Sequence, residues 1–320
     1  MTETIEINQT ADTTFKKYIP ILTGIICLIS IVLFIGIILE GNLDNWEVYK
    51  KWGSPSSNDI FNGSYWGLIS SNFLHTELWH IGFNLYWLWF FGKKIEFENK
   101  KSFYVIFILT SALVSSLAQL SFSDTTGIGL SGIGYSFFGF IYIKSKTTEI
   151  YKNYVDKKTI NLFMFWLVLC IVLTQTKAWT VGNAAHIGGL LWGITLAYIS
   201  RFQMAIQVTI SLIILTFLTS LIFWSPFSTS YLSHKAYNLH KDLKVDEAIL
   251  VYKQILERDT KNEYAKENLK QLEIHKLSEK AIQLHTDQKY KEAKQVYNEI
   301  LLIDKNYEWA KENLKRLPNE

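Results

Sequence analysis

Seven apolar stretches mark the first 224 positions: Ile19–Leu39, Trp66–Phe91 in a broken form, Ser102–Leu120, Gly129–Ile143, Ile160–Leu173, Trp179–Ile199 and Met204–Trp224. A bilayer core about 30 Å thick needs roughly 20 apolar residues in helical form, because each backbone amide inside it must find its partner within the segment. The second stretch carries polar groups and the fourth is short, so their pattern alone equally fits buried helices of a soluble protein. From Tyr231 the pattern changes to amphipathic helices, and it repeats. Ala236–Leu272 matches Ala281–Leu317 at 20 of 37 positions, including Tyr252 with Tyr297 and Ala265-Lys-Glu-Asn-Leu269 with Ala310-Lys-Glu-Asn-Leu314. The fold predicted is all-α: a polytopic membrane helix bundle followed by a small α-solenoid. Its expected divisions are an N-terminal tail at 1–18, a core at 19–200, a seventh span at 201–226 and helical repeats at 231–320.

Charge turns the apolar stretches into membrane spans. Residues from Tyr231 onward hold 17 of the 32 Lys and Arg and 16 of the 29 acids, leaving the preceding part depleted in charge. With the N-terminus inside, twelve cations fall on the inner side: Lys16, Lys17, Lys93, Lys94, Lys100, Lys101, Lys144, Lys146, Lys152, Lys157, Lys158 and Arg201. Only Lys50, Lys51 and Lys177 fall on the outer side, a strong positive-inside bias. A multi-pass cell-membrane protein with a cytoplasmic N-terminus and extracytoplasmic repeats follows. Ile19–Leu39 is longer than the apolar region of a signal peptide and is read as a retained span. Cys27 and Cys170 sit within apolar runs and read as packing residues, which argues against a disulfide framework or thiolate metal site.

Polar side chains inside spans are costly and need a reason. Three clusters stand out: His80 with Asn84, the Gly129-Leu-Ser131-Gly132 string, and Ala185-His186. Ser131 lies 13 residues before Lys144, His80 13 before Lys93 and His186 15 before Arg201. At about 1.5 Å per residue all three sit about 20 Å above the inner boundary, in the outer half of the core. His80 and Asn84, four apart, share a helical face. Gly129 and Gly132 expose the serine at a helix start, and Ala185, Gly189 and Gly193 make a smooth strip for close helix packing. Packing the fourth and sixth spans along that strip would bring His186 within hydrogen-bond reach of Ser131, the minimum for activating a serine.

Taken together, His75-Thr-Glu-Leu-Trp-His80 with Asn84, Gly129-Leu-Ser131-Gly132 with Tyr135, and Ala185-His186-Ile-Gly-Gly189 with Gly193 resemble the rhomboid intramembrane serine proteases, over roughly Ile19 to Ser200. The resemblance implies a six-helix core, here with one extra C-terminal span, and a Ser131–His186 dyad without an acid. It also implies that Tyr135 stacks on His186, and that His80, Asn84 and the Ser131 N–H stabilise an oxyanion. Gly129, Gly132 and Gly189 would support the dyad by close packing. The implied activity is serine endopeptidase cleavage of transmembrane protein substrates near the outer face. The fifth span and the loop at Lys177 are the implied gate. Departures lie elsewhere: Lys100 stands where a Gly-xxx-Glu-xxx-Gly motif begun by Gly92 and Glu96 would end, and a Trp-Arg pair expected in the first outer loop is missing. The repeats resemble a tetratricopeptide solenoid with a lengthened helix and are expected to bind a substrate or an adaptor protein. A generic helical array is as good a reading of them. No metal, organic cofactor or nucleic acid is implied.

Two rival readings share parts of this pattern. A transporter would need acidic groups at mid-membrane and inverted repeats, and the spans offer neither. A noncatalytic rhomboid-like client-binding protein would be expected to lack the serine or the histidine, and both are present.

Overall fold

The computed structural model describes residues 15–152, 154–179, 181–224 and 228–318. The expected N-terminal tail lies outside them up to position 14, and the 201–226 segment from position 225. Among the described residues every regular element is a helix. The chain divides into two units, Met1–Ser230 and Tyr231–Glu320.

In the first unit α1 (Ile21–Glu40) follows Pro20, and three short helices, α2 (Trp46–Lys51), α3 (Ser57–Phe61) and α4 (Gly67–Ser70), form the connection after it. A capping box starts α3: Ser56 Oγ accepts from the Asp59 N–H while the Asp59 carboxylate accepts from the Ser56 N–H, and Lys50 Nζ lies 2.6 Å from that carboxylate. A 3₁₀ turn at Ser71–Phe73 and an extended link then precede α5 (Leu78–Glu98), which is the break expected in the second stretch. α5 continues to Glu98, past the expected Phe91.

The helices α6 (Lys101–Phe122), α7 (Ser131–Thr147), α8 (Lys157–Gln175), α9 (Asn183–Ile199) and α10 (Met204–Trp224) complete the unit. Two starts are later than the apolar pattern implied. α7 begins at Ser131 because Gly129, at φ +102°, adopts a left-handed conformation that no helix can include. α9 begins at Asn183 instead of Trp179. The Val181 N–H and Asn183 Nδ2 both donate to Thr174 Oγ1, at 3.3 and 2.8 Å, which holds this stretch as a loop against the end of α8.

Phe15–Glu40, Lys101–Phe122, Lys157–Gln175 and Met204–Phe223 are long and apolar enough to cross a membrane by length and composition. α5, α7 and α9 carry the polar clusters and fall outside that set. The first unit exposes apolar side chains and buries, within an apolar and aromatic core, a set of serines. Ile25, Leu28 and Val32 of α1, Phe165 and Val168 of α8, and Leu212, Ile213 and Phe217 of α10 are exposed. Ser111, Ser115 and Ser116 of α6 and Ser136 of α7 are buried, with Ser111 Oγ donating to Ser136 Oγ at 2.9 Å. Small residues let α9 lie directly on α7: a Cβ on Gly189 would come within 2.1 Å of the Gly132 carbonyl oxygen, and one on Gly193 within 1.8 Å of that of Ser136.

Glu96, 1% exposed, ties three helices together. It accepts from the Leu22 N–H, the Thr23 N–H and hydroxyl, the Tyr18 hydroxyl and Lys101 Nζ at 2.7–3.1 Å, so a carboxylate caps the open amides at the start of α1. Gly92 stays small because a Cβ there would lie 2.7 Å from the Tyr104 hydroxyl. Lys100, at φ −60°, is the extended residue just before α6, and its backbone does not call for glycine.

The second unit contains α11 (Ser230–Lys241), which starts one residue before the division, then α12 (Val245–Arg258), α13 (Glu263–Thr286), α14 (Tyr290–Ile303) and α15 (Glu308–Arg316). Ala236, Ala248, Val251, Tyr252, Ile255 and Ala265 are buried, and so are their counterparts Ala281, Ala293, Val296, Tyr297, Ile300 and Ala310. The 24-residue α13 serves two cores, giving Ala265, Leu269 and Leu272 to one and Ile274, Leu277, Ala281 and Leu284 to the other.

Candidate active site

Ser131 is the first residue of α7, and the turn before it is shaped by glycine. At Gly129 the positive φ already disfavours a side chain, and a Cβ would also lie 2.6 Å from His80 Cε1, 2.8 Å from His80 Nε2 and 3.3 Å from His75 Nε2. The imidazole of His80 therefore rests against the backbone that presents the serine. Behind it, Gly132 gives way to Ser115, whose Oγ would be 2.5 Å from a Cβ.

His186 lies at the start of α9, 4% exposed, and the α7–α9 seam delivers it to Ser131. Ser131 Oγ is 2.7 Å from His186 Nε2. The hydroxyl donates in this pair when Nε2 carries no proton, the form in which the ring is a base. Nδ1 of His186 has no hydrogen-bond partner among the described residues. The ring is held by stacking instead: Tyr135 lies parallel to it with centroids 4.9 Å apart and planes at 28°. Tyr135 is itself pinned by its hydroxyl, which donates to the Phe163 carbonyl at 3.1 Å.

Two further residues, given no role by the sequence pattern, hold the site. The buried His75 lies in the link before α5, and its Nε2 accepts from the Leu130 N–H at 3.2 Å and from Asn84 Nδ2 at 3.0 Å. Two donors on Nε2 put the ring proton on Nδ1, which points at the Phe73 carbonyl 3.2 Å away. One side chain thus fixes both the residue before the serine and the amide of Asn84. Gln119 of α6 accepts from the Ala185 N–H at 3.1 Å, capping α9 beside His186, and its Nε2 donates to Ser123 Oγ at 2.8 Å. His75 was visible in the sequence as part of the His75–His80 string, yet it sits outside a helix, where face-and-spacing arguments do not reach.

These side chains open on a cavity of about 410 Å³. Ser131, His186, His80, Asn84, Tyr135 and Gly129 line it, so every polar member of the three sequence clusters meets in one space. Its apolar wall is aromatic: Trp79 meets Trp179 edge-on at 4.5 Å, and Phe83 meets Trp166 of α8 at 5.3 Å. Among the described residues no three His, Cys, Asp or Glu gather in a way that could hold a metal ion. The arrangement can deprotonate a hydroxyl next to ring and amide N–H groups.

Residues 62–203 match the family model of the Rhomboid domain. The chain is 26% identical over 181 residues to the Rhomboid protease GlpG of Salmonella paratyphi A (strain ATCC 9150 / SARB42), covering 57% of this chain and 63% of that protein. It is likewise 26% identical over 187 residues to the Rhomboid protease GlpG of Salmonella typhi, with the same coverage. The chain thus spans less than two thirds of the length of these relatives. Both findings support the rhomboid family for the helical core.

Proposed function

We propose that the protein is an intramembrane serine endopeptidase that cleaves transmembrane protein substrates near the outer face of the bilayer. The observation that carries this reading is the 2.7 Å contact between Ser131 Oγ and His186 Nε2 at the floor of a cavity walled by oxyanion-type donors. In the proposed reaction His186 takes the Ser131 proton as Oγ attacks the scissile carbonyl carbon. The oxygen of the tetrahedral intermediate is received by the Ser131 N–H, His80 and Asn84 Nδ2. A donor of this kind is worth roughly 2.7–4 kcal/mol in a preorganised site. His186 then gives its proton to the leaving amine as the C–N bond breaks, and water repeats the sequence on the acyl-enzyme. Tyr135 takes the orienting part that a carboxylate plays in other serine proteases.

The bias of cations to the inner side supports an outer-half position for this chemistry, with water admitted from the outer side. A client helix must unwind to expose a carbonyl, so small or helix-destabilising residues near the outer end of its span are expected at the cut. Clients would come in sideways between α5 and α8, where the Phe83–Trp166 contact is the seam to part, with the loop at Lys177 moving alongside. All seven long helices of the first unit, α1 and α5–α10, would cross the membrane. The repeats would then lie outside the cytoplasm as a tetratricopeptide-like solenoid, recruiting substrates or an adaptor protein. The test is cleavage of a single-span reporter by the wild type and by Ser131→Ala. Cutting by the wild type alone is expected; an intact reporter with both, where an active relative cuts it, defeats the proposal.

A further inference from the structure

The 123–129 loop between α6 and α7 contributes Thr125, Thr126, Gly127, Ile128 and Gly129 to the wall of the cavity and runs directly into Ser131. Its two ends are fastened differently. The end next to the serine is held by the Gly129 N–H on the Ser71 carbonyl and by the Leu130 N–H on His75. The other end is held by Asp124, whose carboxylate reaches a strip of chain beyond α10. Oδ1 accepts from the Thr229 N–H at 3.1 Å and from the hydroxyls of Ser230 and Ser228 at 2.8 and 3.2 Å; Oδ2 accepts from the Thr229 hydroxyl at 2.8 Å. The Ser228 and Ser230 hydroxyls are 2.8 Å apart and also within 3.2 Å of the Ser123 carbonyl. All three strip residues are buried. A carboxylate with four donors on one three-residue strip is a fastening, since each charge-assisted bond is about twice as strong as a neutral one. The strip also ends where the second unit begins: Ser230 is the last residue of the first unit and the first of α11.

We propose that Asp124 is a positioning residue for hydrolysis at Ser131: by clasping Ser228-Thr229-Ser230 it keeps the 125–129 loop in place as one wall of the substrate cavity. All of the clasp's contacts lie within the first unit. The inference rests on the protease reading for its kinetic consequence, but the fastening itself has a readout of its own.

The full chain in nanodiscs is compared as wild type, Asp124→Ala, Asp124→Asn and the pair Ser228→Ala with Ser230→Ala. Two quantities are measured, the kcat and KM for the single-span reporter and hydrogen exchange of the 125–129 amides, with the α9 amides as the control for folding. Asp124→Ala and the serine pair are expected to lower kcat/KM at least fivefold and to speed exchange in the loop at least tenfold, with α9 exchange unchanged. Asp124→Asn keeps an oxygen where Oδ1 stood but loses the charge and the Oδ2 acceptor, and is expected to fall between wild type and Asp124→Ala on both. Combining Asp124→Ala with the serine pair should add little to either alone. Loop exchange and kcat/KM at wild-type values in both clasp variants would overturn the proposal, as would an Asp124→Asn variant as impaired as Asp124→Ala. If Asp124→Ala does not fold, the serine pair alone decides between these outcomes. A wild type that leaves the reporter intact defeats the protease reading, and the exchange result still judges the clasp.

Discussion

His75 is more than a spacer in a string of matching residues. Its Nε2 is the acceptor for the Leu130 N–H, one residue before Ser131, and for the amide that Asn84 would otherwise turn elsewhere. Removing it leaves a buried donor unpaired at a cost of about 1–3 kcal/mol, which in a barrier is roughly a 5- to 150-fold loss of rate. His75→Ala is therefore expected to lower kcat within that range in a reporter assay while Ser131 remains reactive toward a serine-directed phosphonate. Loss of kcat below the low end of the range would mean that Leu130 and Asn84 hold their places without it. Ser131 and His186 were legible in the sequence because each is embedded in small residues that only close packing explains. His75 and Gln119 were not, because they act on backbone amides of distant segments, a relation that residue spacing does not encode.

Among the elements, the α7–α9 seam is the one that sets the Ser131–His186 contact. It depends on backbone meeting backbone, with no room at Gly193 for even a methyl group. Overpacking typically costs about 1–3 kcal/mol, and here the strain would fall along the line joining Ser131 to His186. Gly193→Ala is expected to lower both the thermal midpoint and reporter cleavage. Gly24→Ala in α1, where a Cβ meets nothing within 4 Å, should change neither. The alanine–glycine strip announced this seam in the sequence. The late starts of α7 and α9 were not announced, since one is dictated by the left-handed Gly129 and the other by Thr174 drawing Val181 and Asn183 into a loop.

The connection between α1 and α5 has its own electrostatic anchor. Burial pushes the Asp59 carboxyl up, but bonds from Lys50 and Ser56 outweigh it and hold the group below its ordinary value. A carboxyl with a depressed folded value stabilises the fold above its unfolded pKa of about 3.9, and that contribution fades as pH falls through the folded value. The wild-type thermal midpoint should drop between pH 6 and pH 3 by more than that of Asp59→Asn, measured in the same detergent. Equal drops would remove Asp59 from the acid response.

For the whole molecule, the first unit departs from a soluble protein in its surface: aliphatic faces point outward around an apolar, aromatic core that also holds buried serines. The sequence carried this through the cations between its apolar stretches. Among the described residues four of the stretches qualify as membrane helices by length and composition; α7 and α9 are only 17 residues long, and α5 carries His80, Asn84, Lys93, Lys94 and Glu96. With seven crossings, a tag after the repeats should be cut by protease added to intact spheroplasts. A tag protected until lysis would mean that one crossing was miscounted. The 45-residue repeat was equally plain in the sequence, and so was the need for one lengthened helix, although which helix was not.

That helix, α13, couples the two repeats as nearest neighbours. Half of its apolar face belongs to each core, so removing residues 287–320 would strip the cover from Leu277, Ala281 and Leu284 while leaving Ala265 and Leu272 packed. Its far half would then unwind, in keeping with the nearest-neighbour behaviour of stacked repeats. The two cores of the repeat unit are thus joined by a single uninterrupted rod.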